Sequence, residues 1–323
     1  MVVAREHDHL LDDAVAGVTR YRASEKTTDP AWTPALVYAG HQFASFYVLV
    51  GETATSKAVS LLENLTLVFV AGLLTALATG VGALPFFFFE EISDRGNVAL
   101  WGLSSGIMVS ASVFGLLEEG LAEGSIVDIA AGMAVGVLLV VVAHSVIVDA
   151  DVDPRQYEEA DFKKLVLILG ILTVHSFPEG IAVGVSFADL GLEGGVSFLG
   201  FTVPVLAIFM TVAISIHNVP EGTAISIPLR TMGVSKWRMV GWAIFSSLPQ
   251  PIGAVIAFYF VTIAREFLAF GFGFAAGAMI YLVLTEFIPE ALDIGAELPR
   301  GGKPELVGGV LVGVVVMVPL AFI

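Results

Sequence analysis

The stretches TVHSFPEGIAVGV (173–185) and SIHNVPEGTAISI (215–227) repeat one pattern, His-x-x-Pro-Glu-Gly, within two long apolar runs. A charged side chain at the centre of a membrane-spanning helix costs about 2.5–3.5 kcal/mol on insertion scales, so a carboxylate placed there twice requires compensation. His and Glu at positions i and i+4 lie on the same face of a helix, one turn apart. Each copy therefore directs one imidazole and one carboxylate toward a common point.

The composition of the whole chain places these motifs in a membrane. Of 323 residues, 56% are hydrophobic and 14% are charged, and the mean hydropathy is +0.88, whereas soluble domains carry about 25% charged residues. Apolar runs long enough to cross a bilayer fall at 66–89, 97–117, 126–148, 164–187, 199–228, 237–262, 266–288 and 305–323. We therefore expect an all-α polytopic membrane protein, an eight-helix bundle with a metal site between the fourth and fifth core helices.

Several classes of function are excluded by the same composition. The net charge is 15 − 31 = −16, which repels nucleic acid. The chain has no cysteine, so any metal site must use nitrogen and oxygen ligands. No G-x-x-x-x-G-K-[ST] phosphate loop is present, which argues against a nucleotide-driven pump. Residues 1–17 carry acids in place of a basic region, and we expect no cleavable signal peptide.

Basic residues give the expected orientation. They collect in alternate loops, at Arg95, Arg155, Lys163, Lys164, Arg230, Lys236, Arg238, Arg300 and Lys303. The opposite loops between the first and last spans hold only Arg265. Short cytoplasmic loops are enriched in Lys and Arg, so we expect a multi-pass protein of the cell membrane, with the loop 149–164 in the cytoplasm and the C-terminus outside.

The N-terminal region leaves two interpretations open. We divide the chain into a tail at 1–63 and a membrane domain at 64–323. Within the tail, 31–51 is long enough to form an extra span, which would return the basic residues of the tail to the cytoplasm. His41 and Gln42 weaken that span, and the alternative is an amphipathic segment on the membrane surface.

The repeated motif predicts a cation site. Its four candidate ligands are His175, Glu179, His217 and Glu221. Two imidazoles and two carboxylates favour Zn(II), with Fe(II), Mn(II), Co(II) and Cd(II) as other candidates. Pro178 and Pro220 each free a backbone carbonyl one turn earlier, and Gly180 and Gly222 are expected to let the two motif helices approach closely. The alternative is a pair of satisfied His–Glu contacts that only fix packing. His144, near the cytoplasmic end of the third span, is assigned to the membrane interface.

At these motifs the sequence resembles the ZIP (Zrt/Irt-like) family of divalent metal transporters. The resemblance covers about residues 64–323 and extends to four further stretches, LATGVGALPFFFFEEIS (77–93), SSGIMVSAS (104–112), SLPQPIGA (247–254) and AAGAMIYLVLTEFIPEA (275–291). It implies an eight-helix core in which one helix block moves against another to alternate access. It also implies that the four motif residues are the primary transport-site ligands.

Further roles follow from the same resemblance. Met108 and Ala111 match pore-facing positions of the second helix, and Asn218 matches a position that contributes to a second metal. Ser176 and Gln250 replace stronger ligands of relatives, so we expect one ion in the main site and a weak second site built from Asn218, Glu179, Glu221 and Gln250. Glu286, preceded by Thr285 where many relatives have His, is either an exit ligand or an interface residue.

The leading functional prediction is a secondary transporter that moves Zn(II) or a similar ion toward the cytoplasm. Its partners would be divalent metal ions and the lipid bilayer, with a homodimer among the compatible assemblies. We expect neither a catalytic residue nor a catalytic cofactor. The alternative is an intramembrane zinc-dependent metalloenzyme, which the sequence disfavours because the H-E-x-x-H arrangement is missing and four protein ligands leave no position for a catalytic water. A metal-stapled scaffold has no sequence feature in its favour.

Overall fold

The computed structural model describes residues 59–89, 91–148 and 175–319. The described residues from Leu61 onward belong to one compact unit. The predicted span at 31–51, the loop at 149–164 and the beginning of the fourth span lie outside the described residues. Within the described part the chain is helical apart from short connections and one hairpin.

The described residues form eight main helices and two strands. They are α1 (Val59–Phe87), α2 (Asp94–Glu123), α3 (Ile126–Val148), α4 (175–186), β1 (Val196–Phe198), β2 (Phe201–Val203), α5 (Val205–Thr231), α6 (Lys236–Ile263), α7 (Arg265–Ile294) and α8 (Lys303–Met317). Six of them, α1, α2, α3, α5, α6 and α7, are long and apolar enough to cross a membrane. The chain is therefore an all-α polytopic membrane protein, while the count of eight spans stays a prediction.

Two stretches form a different element from the one predicted. Residues 199–203, expected to begin the fifth span, instead complete an antiparallel hairpin in which Phe198 pairs with Phe201. The turn between them has positive φ at Leu199 (49°) and Gly200 (87°), the backbone of a two-residue hairpin turn. The stretch 118–123, expected to be a connection, continues helix α2 to Glu123.

Two helices contain a wider, π-helical turn. In α2 it covers Ala111–Leu117, and in α7 it covers Val283–Phe287. Such turns insert one extra residue into a helix and occur frequently at functional sites. Both lie on stretches that carry predicted pore or exit residues.

Glycines set the closest helix contacts. A Cβ at Gly309 of α8 would fall against the carbonyl oxygen of Ala99 in α2, and a Cβ at Gly273 of α7 would fall against that of Ile129 in α3. Backbones approach this closely only where no side chain intervenes. Helix α2 therefore packs tightly on α8, and α3 on α7.

Candidate metal centre

The two motif copies lie on α4 and α5, whose side chains meet in the protein interior. Glu179 of α4 and His217 of α5 are 0% exposed, and Glu221 of α5 is 2% exposed. Helix α5 carries Pro220 in its interior. The sequence spacing of four residues places His217 and Glu221 one turn apart on the same face.

Three of the predicted ligands converge. One ligand atom from each of Glu179, His217 and Glu221 lies within 4.8 Å of the other two. The Nε2 atom of His217 lies 3.2 Å from Glu179 Oε1 and 3.8 Å from Glu221 Oε2. We call these three residues the buried trio. A cluster of one nitrogen and two carboxylates within this distance could hold a cation.

Glu221 gives the trio its electrostatic character. Both of its carboxylate oxygens are buried and have no hydrogen-bond partner among the described residues. In the part of the chain that the structure describes, the ion pairs of Glu179 and Glu221 involve His217 and no Lys or Arg. A buried charge without a partner is costly, and a bound cation would supply the missing compensation.

The fourth predicted ligand faces another group. His175 is 4% exposed, and its Nε2 atom lies 3.7 Å from Glu286 Oε1 of α7. The same oxygen lies 3.8 Å from Nε2 of His144. The structure therefore brings His175 together with Glu286 and His144, beside the buried trio and not within it.

A buried hydrogen-bond network surrounds Glu179. The side-chain amide of Gln250 donates to Glu179 Oε2 at 2.5 Å, and its carbonyl oxygen accepts from Thr75 Oγ1 at 2.7 Å and from Asn218 Nδ2 at 3.0 Å. Asn218 Nδ2 also donates to the Thr75 carbonyl oxygen at 2.7 Å. Two of the predicted weaker ligands, Gln250 and Asn218, thus contact each other, and Gln250 holds the Glu179 carboxylate of the trio.

Thr75 is a residue that the sequence analysis missed. A signal was present, because Thr75 and Thr79 stand one turn apart in the otherwise apolar helix α1. Thr79 also hydrogen-bonds to α6, with its hydroxyl 2.7 Å from that of Ser247. A pair of buried hydroxyls at this spacing indicates a polar helix face.

The chain is similar to proteins of known family. Residues 149–321 match the model of the family described as ZIP Zinc transporter. The zinc transporter GufA of Myxococcus xanthus is 31% identical over 245 residues, which cover 71% of this chain and 89% of that protein. The chain belongs to the ZIP zinc transporter family.

Two other relatives extend this comparison. The zinc transporter ZupT of Corynebacterium aurimucosum is 31% identical over 252 residues, covering 72% of this chain and 90% of the relative. A putative zinc transporter of Arabidopsis thaliana is 39% identical over 218 residues, covering 67% of this chain and 33% of the plant protein. The match therefore spans only a third of the plant relative.

The two motif glycines of this ZIP family member were expected to bring α4 and α5 together, and they do not. A Cβ at Gly180 would meet the backbone of Gln250 on α6, and a Cβ at Gly222 would meet that of Thr79 on α1. The expectation was wrong because each motif helix presents its glycine to a neighbour other than its repeat partner. The glycines instead attach α4 to α6 and α5 to α1.

One aromatic residue of α7 contacts both histidines of the repeated motif. The ring of Phe287 stacks on that of His217, with centroids 5.5 Å apart and planes 14° apart, and it meets His175 edge-on at 6.3 Å. Met108, the predicted pore-facing residue of α2, is buried in the same apolar core cluster as Phe287. Phe287 was missed in the sequence analysis because a phenylalanine in an apolar helix carries no signal of a functional role.

Proposed function

We propose that this ZIP family member is a secondary transporter that moves divalent transition-metal ions, most favourably Zn(II), across the cell membrane toward the cytoplasm. The observation that carries the proposal is the buried trio, in which the Glu221 carboxylate has no hydrogen-bond partner among the described residues. Three relatives whose names describe zinc transporters support the choice of metal.

The donor set argues for the class of ion. One imidazole and two carboxylates suit Zn(II), and Fe(II), Mn(II), Co(II) and Cd(II) accept the same donors. Mg(II) and Ca(II) prefer sites built entirely from oxygen. His175 completes the proposed ligand set when its imidazole turns from Glu286 toward the trio, which makes it the ligand that distinguishes a loaded site from an open one.

The proposed second site is weak because its added donors are neutral. The Gln250 side chain is bonded to Glu179, Thr75 and Asn218, and Asn218 Nδ2 donates to Gln250 and to the Thr75 carbonyl. Asn218 Oδ1 is buried without a hydrogen-bond partner among the described residues, which leaves a neutral amide oxygen for a second ion. An amide in the place of a carboxylate adds no negative charge for a second cation. We therefore propose one transported ion, bound chiefly by the trio and His175.

Helix contacts favour alternating access by two blocks. Close glycine contacts join α1 to α5 through Gly222, α4 to α6 through Gly180, and α1 to α6 through Gly72, which approaches Pro251. Among the remaining helices, the glycine contacts to another helix backbone join α2 to α8 and α3 to α7, whereas Gly115 of α2 reaches α5 only through the Phe209 and Met210 side chains. The trio belongs to the first group, whereas Glu286, Phe287 and Met108 belong to the second. Relative movement of the groups would change which residues of the second group face the ion.

The release route is proposed through Glu286. Its side chain is 24% exposed, and the neighbouring His144 is 52% exposed. His144 lies near the end of α3 that the distribution of basic residues assigns to the cytoplasm. An ion leaving the trio toward Glu286 and His144 would therefore move toward the cytoplasmic side.

Zn(II) entry into proteoliposomes, followed with a lumenal zinc dye, tests the proposal. We compare the wild-type protein, the paired variant His175→Ala/His217→Ala, and Glu266→Gln as a control that alters an exposed residue at the start of α7. Saturable flux in the wild type and the control, lost in the paired variant, supports transport through the site. A wild-type protein that binds zinc and passes none under a pH or voltage gradient would overturn it and favour the metalloenzyme alternative, in which bound zinc activates water.

A further inference from the structure

Phe287 occupies a special position relative to the metal site. Its side chain is 1% exposed and lies in the π-helical turn of α7, immediately after Glu286. The ring contacts His217 of the buried trio by stacking and His175 by its edge. It also packs edge-on against Trp101 of α2, with ring centroids 4.9 Å apart.

The Phe287 ring contacts one histidine from each of two polar groups that differ in exposure. The first group is the trio, in which Glu179 and His217 are 0% exposed. The second group is His175 with Glu286, whose carboxylate is partly exposed and lies 3.7 Å from the His175 imidazole. Because the ring contacts both groups, it adjoins a direct path from the trio to Glu286.

Nothing polar on Phe287 can replace the ligands that the ion would give up. A benzene ring supplies no lone pair for Zn(II), and a cation held among apolar atoms loses the solvation that His and Glu provide. Passage thus requires the ring to move aside. The wider π-helical turn that carries Phe287 is a local irregularity of the kind found at functional sites, where helix register can change.

We propose that Phe287 is a gating residue, whose ring closes the route between the buried trio and Glu286 and swings away when the ion is released. The proposal rests on the proposed transport function. The proposed role of Phe287 is to set the energy barrier for movement of the ion between the two sites, without changing the affinity of either site for the ion. A gate slows arrival and departure together, whereas a ligand or a packing residue changes the affinity itself.

Release and binding rates of Zn(II) test this role. Purified protein is loaded with Zn(II) and mixed with a chelating dye in a stopped-flow instrument, and association is measured in the reverse mixing experiment. Phe287→Ala is expected to accelerate both rates by about tenfold, leaving the dissociation constant within about threefold of the wild type. Phe287→Val is expected to give a smaller increase of both rates and serves if the alanine variant does not fold.

Phe272→Ala is the matched control. Phe272 is a buried phenylalanine of the same helix, 2% exposed, and its replacement by alanine removes the same side-chain volume. It should leave both rates near the wild-type values. Unchanged rates in a folded Phe287→Ala or Phe287→Val protein would overturn the gate, as would a weaker affinity with unchanged association. Wild-type flux is recorded with the same preparations in proteoliposomes, so a failure of transport is seen separately from a failure of the gate.

Discussion

Gln250 of α6 donates its side-chain amide to Glu179 of α4 across 2.5 Å, and both side chains are fully buried. The contact gives one carboxylate of the trio a neutral donor. Glu221, on the opposite motif helix, has no such donor. The two carboxylates of the repeat are thus compensated differently, one by the protein and one by the ion that we propose it binds.

Replacement of Gln250 by glutamate is expected to create a second metal site. Gln250→Glu removes the amide donor and puts a carboxylate beside Glu179, where two like charges are stable only with a cation between them. Zinc bound per folded protein, measured by calorimetry and by metal analysis after desalting, should rise from about one to about two. Gln250→Met, which has similar length and no charge, should stay at about one, and a folded Gln250→Glu protein that also binds one ion would refute this expectation.

Neutralisation of Glu221 is expected to abolish zinc binding and to stabilise the metal-free protein. Glu221→Gln eliminates a buried carboxylate that has no hydrogen-bond partner among the described residues, so the metal-free variant should unfold at a higher temperature than the metal-free wild type. Zinc at about 100 times its dissociation constant stabilises a protein that binds it by about 2.7 kcal/mol, and this gain should be lost in the variant. Thermal unfolding in detergent with and without zinc measures both effects. Glu266→Gln should keep the zinc-dependent gain, and a Glu221→Gln protein that also keeps it would contradict the assignment.

The chemical types at the site could be predicted from sequence, whereas part of their arrangement could not. The His-x-x-Pro-Glu-Gly repeat lies on helices, and helical periodicity alone places His217 and Glu221 on one face. Which way an imidazole turns depends on a distant residue, and the approach of Glu286 from α7 to His175 has no local signal. The partners of Gly180 and Gly222 likewise depend on how all the helices pack.

Hydrophobic runs locate spans better than they locate helix ends. The hairpin at 196–203 was missed because its residues are apolar, although Leu199-Gly200 could have indicated a turn. Helix α2 passes through Glu118 and Glu119, since charged residues beyond the hydrocarbon region are compatible with a helix. A helix could therefore be predicted where its sequence is strongly apolar, whereas the residues at which it begins and ends could not.

Substitution by alanine is expected to change the stability of the protein differently at two neighbouring glycines of α8. A Cβ at Gly309 would meet the Ala99 carbonyl oxygen of α2, whereas a Cβ at Gly308 meets open space. Gly309→Ala should destabilise the protein by about 1–3 kcal/mol through overpacking, and Gly308→Ala should stabilise it slightly or leave it unchanged. Thermal unfolding of both variants measures the difference. Equal effects would show that α2 and α8 are not in close contact.

Neutralisation of Glu286 is expected to slow transport without weakening the buried site. Glu286 lies outside the trio and beside His175, so Glu286→Gln should lower the maximal flux several-fold and leave the equilibrium affinity for zinc within about threefold. Glu290→Gln, one turn further along the same helix, is the matched control and should transport normally. Full flux in Glu286→Gln would remove it from the release route, and a large loss of affinity would instead make it part of the binding site.

The central claim is that the buried trio is the site through which the ion crosses the membrane. The most direct test is the initial rate of Zn(II) entry into proteoliposomes for the wild type, Glu221→Gln and Glu266→Gln, at equal protein content and over a range of external zinc. We predict saturable entry for the wild type and Glu266→Gln, and entry no faster than in protein-free liposomes for Glu221→Gln. Wild-type rates in a folded Glu221→Gln protein would contradict the claim.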